Sequence, residues 1–181
     1  MTPVIAEETH ICTALGALFA YPTEAYPEDI LTCRDQMRRL YPAAARALET
    51  FWQQMRQMEH GAREELYTGT FDLAPVCVPY VSVYLFGAEN YKRSELMARL
   101  NDEYARRGFA PGSELPDHLG VLLRFLPCLP SDEQRELLHF CLRAPVLTMI
   151  EHLTKTANPY RHLLRAVQQV LQAMAEGNSH A

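Results

Sequence analysis

The sequence has little that marks an enzyme, a membrane protein or a nucleic-acid binder. It holds five cysteines, Cys12, Cys33, Cys77, Cys128 and Cys141, with no CxxC pair among them. That number and spacing fit neither a disulfide framework nor a zinc or iron–sulfur site, and several of the thiols fall among apolar neighbours at helical spacing and are expected as small core residues. No GxxxxGKS/T phosphate loop, GxGxxG, HExxH or GxSxG motif is present. No apolar run approaches the ~20 residues of a membrane span, so stable membrane insertion is not expected. Basic residues are in deficit, 17 Lys+Arg against 22 Asp+Glu for a net charge of −5, which disfavours binding to nucleic acid. The first ten residues carry Glu7 and Glu8 and no Lys or Arg, unlike a secretory signal. A cytoplasmic location is expected.

What is present is an ordinary globular composition, 48% hydrophobic and 22% charged in 181 residues. Such a length suits a single domain burying about 70% of the surface of its unfolded chain. We read one helical domain over residues 1–176 and a flexible tail over 177–181.

Apolar positions recur at helical spacing, and proline and glycine punctuate them. Ile11, Leu15 and Leu18 form a first stripe, stopped at Tyr21-Pro22. Pro27 opens a second helix and Pro42 a third, in which Leu48, Phe51, Met55 and Met58 step along one face to Gly61, a natural stop. A short helix follows over 62–72, then a loop to about Val78 and a short helix from Pro79. Residues 90–107 form a helix with Arg93, Leu96 or Met97, Leu100 and Tyr104 on one face. Pro116 begins the next, and Ser131 with Gln134 matches a capping box. Pro145 and Pro159 open the last two, the final one running to Gly177. The fold class is therefore all-α, a helical bundle of roughly nine or ten helices.

Two Glu-x-x-His pairs, Glu7/His10 and Glu136/His139, are spaced like the ligand pairs of di-iron bundles. A metal site also requires inward carboxylates on facing helices. Glu49, Glu95 and Asp102 lie among polar neighbours and look solvated. A metal-binding bundle and a structural subunit of a complex stand as alternative functions; no metal ligand and no cofactor is assigned.

The tract Glu114-Leu-Pro-Asp-His-Leu119 is the most informative. By its chemistry alone, Asp117 following Pro116 stabilises a helix start, with His118 a half-buried neighbour. Two blocks give the chain a family likeness: Tyr67-Thr-Gly-Thr-Phe71 followed by Pro79-Tyr-Val-Ser-Val-Tyr84, and the Glu-Leu-Pro-Asp-His-Leu tract itself. Together with Leu18-Phe-Ala-Tyr-Pro22 and Asn158-Pro-Tyr-Arg-His-Leu163, they resemble the TorD/DmsD/NarJ family of chaperones that mature molybdenum oxidoreductases, in its NarJ-like, nitrate reductase delta-subunit branch.

The resemblance implies an all-helical, non-catalytic cytoplasmic chaperone. Its partner would be the catalytic subunit of a molybdopterin oxidoreductase, bound through its N-terminal leader peptide and held as apo-enzyme for molybdenum cofactor insertion. Carried over by position, Asp117 and His118 form the polar part of the peptide site, and Tyr67, Phe71, Pro79, Tyr80 and Tyr84 its apolar wall. A leader with a basic end and an apolar middle calls for a carboxylate beside an apolar groove. On that expectation His118 tunes affinity near neutral pH. Replacing Asp117 or His118 by alanine leaves the fold intact while weakening binding by about 1–3 kcal/mol. Arg124 and Thr70 depart from the family pattern, Arg124 where a carboxylate is usual and Thr70 where an aliphatic residue is found.

Overall fold

The structure, a computed structural model, describes residues 3–177. Ten α-helices account for most of them: α1 (Pro3–Ala17), α2 (Tyr26–Met37), α3 (Pro42–Met55), α4 (His60–Tyr67), α5 (Val81–Phe86), α6 (Tyr91–Arg106), α7 (Leu119–Phe125), α8 (Ser131–Glu136), α9 (Arg143–Lys155) and α10 (Tyr160–Gly177). No strand occurs among the described residues, so the fold is all-α as expected. The expected tail lies outside the described residues, except for Gly177 at the end of α10.

The chain separates into two compact units. Among the described residues the first comprises 3–19 and 79–145, the second 20–78 and 146–177. In the first unit α1 packs on α7, and α5 rests against α6 and a π-helical turn over Leu137–Leu142. Ile11, Leu15, Leu122, Leu123 and Phe125 are buried there, and Tyr104, Phe109 and Phe125 stack edge to face or tilted within 5.2 Å. The helix-spaced stripes read from the sequence are the surfaces that meet.

In the second unit α3 lies against both α2 and α10. Leu48, Phe51 and Met55 of α3 and Leu163, Leu164 and Val167 of α10 are fully buried. Asn158 accepts from the Tyr160 N–H at 2.9 Å, capping α10 just ahead of Pro159. Its amide also donates to Thr70 Oγ1 at 2.7 Å. That bond explains how a polar residue is tolerated at position 70, which is fully buried.

Several local readings are corrected. Gly61 does not end α3, which stops at Met55; it sits in the first turn of α4. Ser131 makes no capping box, because Gln134 turns its N–H and its side-chain amide to the carbonyls of Pro130 and Leu129 instead. Pro145 does not open a helix either: α8, the π turn and α9 run on without a break, and α9 begins two residues earlier. The wider turn falls just before the point where proline withholds an N–H and crowds the preceding turn. None of the five cysteines is in a disulfide; three are buried, Cys141 is half-buried and Cys128 exposed.

Candidate functional site

Five of the seven expected site residues lie in the first unit. Residues 79–81 run antiparallel to 117–119 as an isolated bridge between Tyr80 and His118. Two backbone bonds close it: Leu119 N–H to the Pro79 carbonyl at 2.8 Å, and Val81 N–H to the Asp117 carbonyl at 3.0 Å. Pro79 thus contributes the one backbone group a proline retains. The short helix expected from Pro79 starts instead at Val81, since Tyr80 is held extended by the bridge.

Asp117 does not lie in the first turn of α7, which begins at Leu119. Its side chain is 0% exposed. Oδ2 accepts from the Ser82 hydroxyl and from the Ser82 N–H at 3.3 Å. Arg93 of α6 closes the group: its Nε donates to Ser82 Oγ at 2.8 Å, its Nη1 to the Ala88 carbonyl at 2.8 Å, and its Nη2 lies 3.9 Å from Asp117 Oδ2. Ser82 is therefore donor to one charge and acceptor from the other. The Tyr104 hydroxyl donates to the Pro116 carbonyl at 2.6 Å, and burial beside Asp117 raises its pKa.

His118 is 3% exposed and caps α7, its Nδ1 accepting from the Gly120 N–H at 3.2 Å. The Tyr80 ring stands edge-on to it at 5.7 Å. Desolvation, reinforced by Arg124, brings its pKa down from 6.5 to about 4. Arg124 itself donates to the Pro111 carbonyl at 2.6 Å and lies over the Phe109 ring. The expected accessible carboxylate and imidazole are thus internal, and His118 is neutral through the range in which it was expected to titrate.

The unfolded chain takes up a proton on His118 near 6.5 and the native state only near 4, so between those values the unfolded state binds more protons. Stability is expected to fall as the pH drops through that window, by on the order of 3 kcal/mol from this group. Above it the contribution is constant, and partner binding is expected not to follow His118 between about pH 5.5 and 8. Urea unfolding between pH 4 and 6.5 checks the stability change, with His118→Asn, a capping residue that does not titrate, losing the slope.

The remaining two expected residues, Tyr67 and Phe71, belong to the second unit. They are 8% and 6% exposed and form an aromatic cluster with Tyr160 and Tyr21, with ring centroids 4.8–6.3 Å apart. Tyr21 is the accessible member at 51% exposure. It lines a shallow depression with Gly61, Glu64, Glu65 and Thr68. Tyr80 and Tyr84 are half-buried, as are Val83, Leu85 and Phe86 of α5.

Sequence reasoning missed Ser82 and Arg93. A signal for Arg93 was present, since an arginine sharing a face with Leu100 and Tyr104 needs an internal partner. Ser82 gave none beyond its place in the Pro79–Tyr84 block. Of the alternative metal ligands, Glu136 and His139 are exposed, Glu95 pairs with Arg99 and Glu49 with Arg34. Among the described residues no group of three or more His, Cys, Asp or Glu side chains is placed to hold a metal ion. No helix among them is long and apolar enough to cross a membrane.

The arrangement in the first unit is one of holding: a serine, an aspartate and an arginine fix a bridge that includes half-buried Tyr80 and a short apolar helix that carries half-buried Tyr84. The chain belongs to the nitrate reductase delta subunit family, of NarJ/TorD type, which it matches over residues 34–175. That family is one of maturation chaperones and is non-catalytic. The chain is also 25% identical over 161 residues to "Nitrate reductase-like protein NarX" of Mycobacterium tuberculosis, in strains CDC 1551 / Oshkosh and ATCC 25618 / H37Rv. The alignment takes in 89% of this chain and 24% of NarX, so the chain spans about a quarter of that relative's length.

Proposed function

We propose that the protein is a cytoplasmic chaperone for the catalytic subunit of a molybdopterin oxidoreductase of the nitrate reductase type. It binds that subunit's N-terminal leader segment and keeps the apo-enzyme open to molybdenum cofactor insertion and assembly. The family match over residues 34–175 carries this reading. No bond is made or broken; the work is differential binding of the immature client.

The seven residues take roles suited to their positions. Tyr80 and Tyr84, half-buried on and beside α5, offer large amphipathic surface to an apolar stretch of peptide at low entropic cost. Pro79, Asp117 and His118 hold that surface in place through the bridge and the Ser82 bonds. Tyr67 and Phe71 back the exposed ring of Tyr21 in the second unit.

The test is co-expression with a tagged nitrate reductase-type catalytic subunit, intact and with its N-terminal segment deleted. Capture of the intact apo-subunit, loss of capture on deletion, and a fall in the molybdenum content of the subunit made without the chaperone are expected. Equal capture of both forms sinks the leader-binding reading, and persistence of the protein in the mature enzyme makes it a structural subunit instead.

A further inference from the structure

Asp117 is supplied with donors on one oxygen and has none on the other. Oδ2 faces the Ser82 hydroxyl and N–H and, at 3.9 Å, Arg93. Oδ1 is buried with no hydrogen-bond partner. A carboxylate accepts through both oxygens, and a buried acceptor left without a donor is costly, so such an atom marks an incomplete set of partners. A guanidinium is the group whose parallel N–H pair matches both oxygens at once.

The molecule already brings a guanidinium to the place, but does not engage it fully. Arg93 spends its Nε on Ser82 and its Nη1 on the exposed Ala88 carbonyl, and its Nη2 stays beyond hydrogen-bond distance of the carboxylate. Its side chain is 18% exposed against 0% for Asp117, so it lies on the solvent side of the pair. It also occupies the first turn of α6, next to Lys92 and just after the Asn90 cap. Positive charge is disfavoured at a helix N-terminus. Arg93 therefore opposes the dipole while its Nη2 pairs with the carboxylate only at 3.9 Å, beyond hydrogen-bond distance.

We propose that Arg93 is a resident stand-in for an arginine of the bound client segment. It occupies the Ser82–Asp117 pair in the unliganded protein and yields it when the client's guanidinium arrives to take Oδ1 and Oδ2 together. This rests on the leader-binding reading and adds the ligand chemistry: arginine is preferred over lysine, because a single ammonium does not span both oxygens. Arg93 then sets affinity by competition, and the apparent dissociation constant is raised by the fraction of molecules in which it still holds the site.

The experiment uses the full chain and a fluorescein-labelled apolar peptide bearing one arginine, with matched peptides bearing lysine or norleucine, read by fluorescence anisotropy. The arginine peptide is expected to bind most tightly. Arg93→Met is expected to tighten it about tenfold while leaving the norleucine peptide unchanged, and Asp117→Asn to erase the preference for arginine. Should Arg93→Met not fold by circular dichroism, Arg93→Gln, which keeps a donor for Ala88, is read in the same way. Weaker or unaltered binding of the arginine peptide by the Arg93 variant overturns the stand-in, as does equal binding of all three peptides. If such a variant still captures the catalytic subunit through its N-terminal segment, the chaperone reading survives; loss of capture by the parent protein overturns that reading separately.

Discussion

Gly120→Ala is expected to lower the free energy of unfolding by about 3 kcal/mol, the upper part of the range for overpacking a tight contact. At the crossing of α1 and α7 two glycines face each other. A Cβ on Gly120 would lie 2.6 Å from the Gly16 carbonyl oxygen and 3.1 Å from Phe19 Cβ, and one on Gly16 would lie 2.5 Å from the Gly120 carbonyl oxygen. Both obstacles are backbone oxygens of regular helices, so no rotamer relieves them and the helices must part. Local propensity points the other way, since alanine is better than glycine in a helix by about 1 kcal/mol; the sign of the change therefore reports the crossing alone. Gly61→Ala is the control. It lies in the first turn of α4 with nothing within 4 Å of its added Cβ, and is expected to be neutral or slightly stabilising. Urea unfolding of the two variants measures both. Adding Gly16→Ala to Gly120→Ala is expected to cost far less than the sum of the two, because the first methyl has already separated the helices. A Gly120→Ala protein as stable as its parent would mean that α1 and α7 do not cross this closely.

The helices were legible because their signals are local. Leu48, Phe51 and Met55, or Leu163 and Val167, declare a buried face within a few residues, and Pro27, Pro42 and Pro159 declare starts. The misreadings at Gly61, Ser131 and Pro145 share a cause. Each residue is permissive at a helix end without requiring one, and the chain used it inside or beside a longer helical run. The candidate site was legible only in part. Asp117 was singled out from its motif, but its partner Ser82 is 35 residues away in sequence, and no periodicity connects them. The Tyr80–His118 bridge is likewise invisible to propensity. A carboxylate two residues before a helix looks like a helix-start residue until the fold brings a serine to it, which is why Asp117 was read as stabilising a helix start and proves to be buried against Ser82. Tyr67, Phe71, Tyr80 and Tyr84 were assigned to one wall by the family resemblance; Tyr67 and Phe71 belong to the unit that holds Tyr160.

Asp117→Ala is expected to cost about 3 kcal/mol of stability, against the sequence-based expectation that it would leave the fold intact. Removing a buried, hydrogen-bonded carboxylate leaves its donors unsatisfied, at about 1–3 kcal/mol for each group so stranded. Here the Ser82 hydroxyl and N–H lose their acceptor and the Arg93 guanidinium its counter-charge. Partial solvent access at Arg93 keeps the total below the sum. The damage is local before it is global: Val81 and Ser82 form the first turn of α5, and the bridge that holds them also passes through Asp117. Asp117→Asn retains an oxygen able to accept from Ser82 and is expected to cost about 1 kcal/mol. Ser82→Ala, which removes the hydroxyl linking the two charges, is expected to fall between them. Denaturant midpoints for the three variants test that order. Loss of client binding by Asp117→Ala would therefore be no evidence of a direct contact, whereas loss by the better-folded Asp117→Asn would be. If Asp117→Ala unfolds at the parent's midpoint, the serine–aspartate–arginine group is not what holds α5, and the positions assigned here to Tyr80 and Tyr84 lose their anchor.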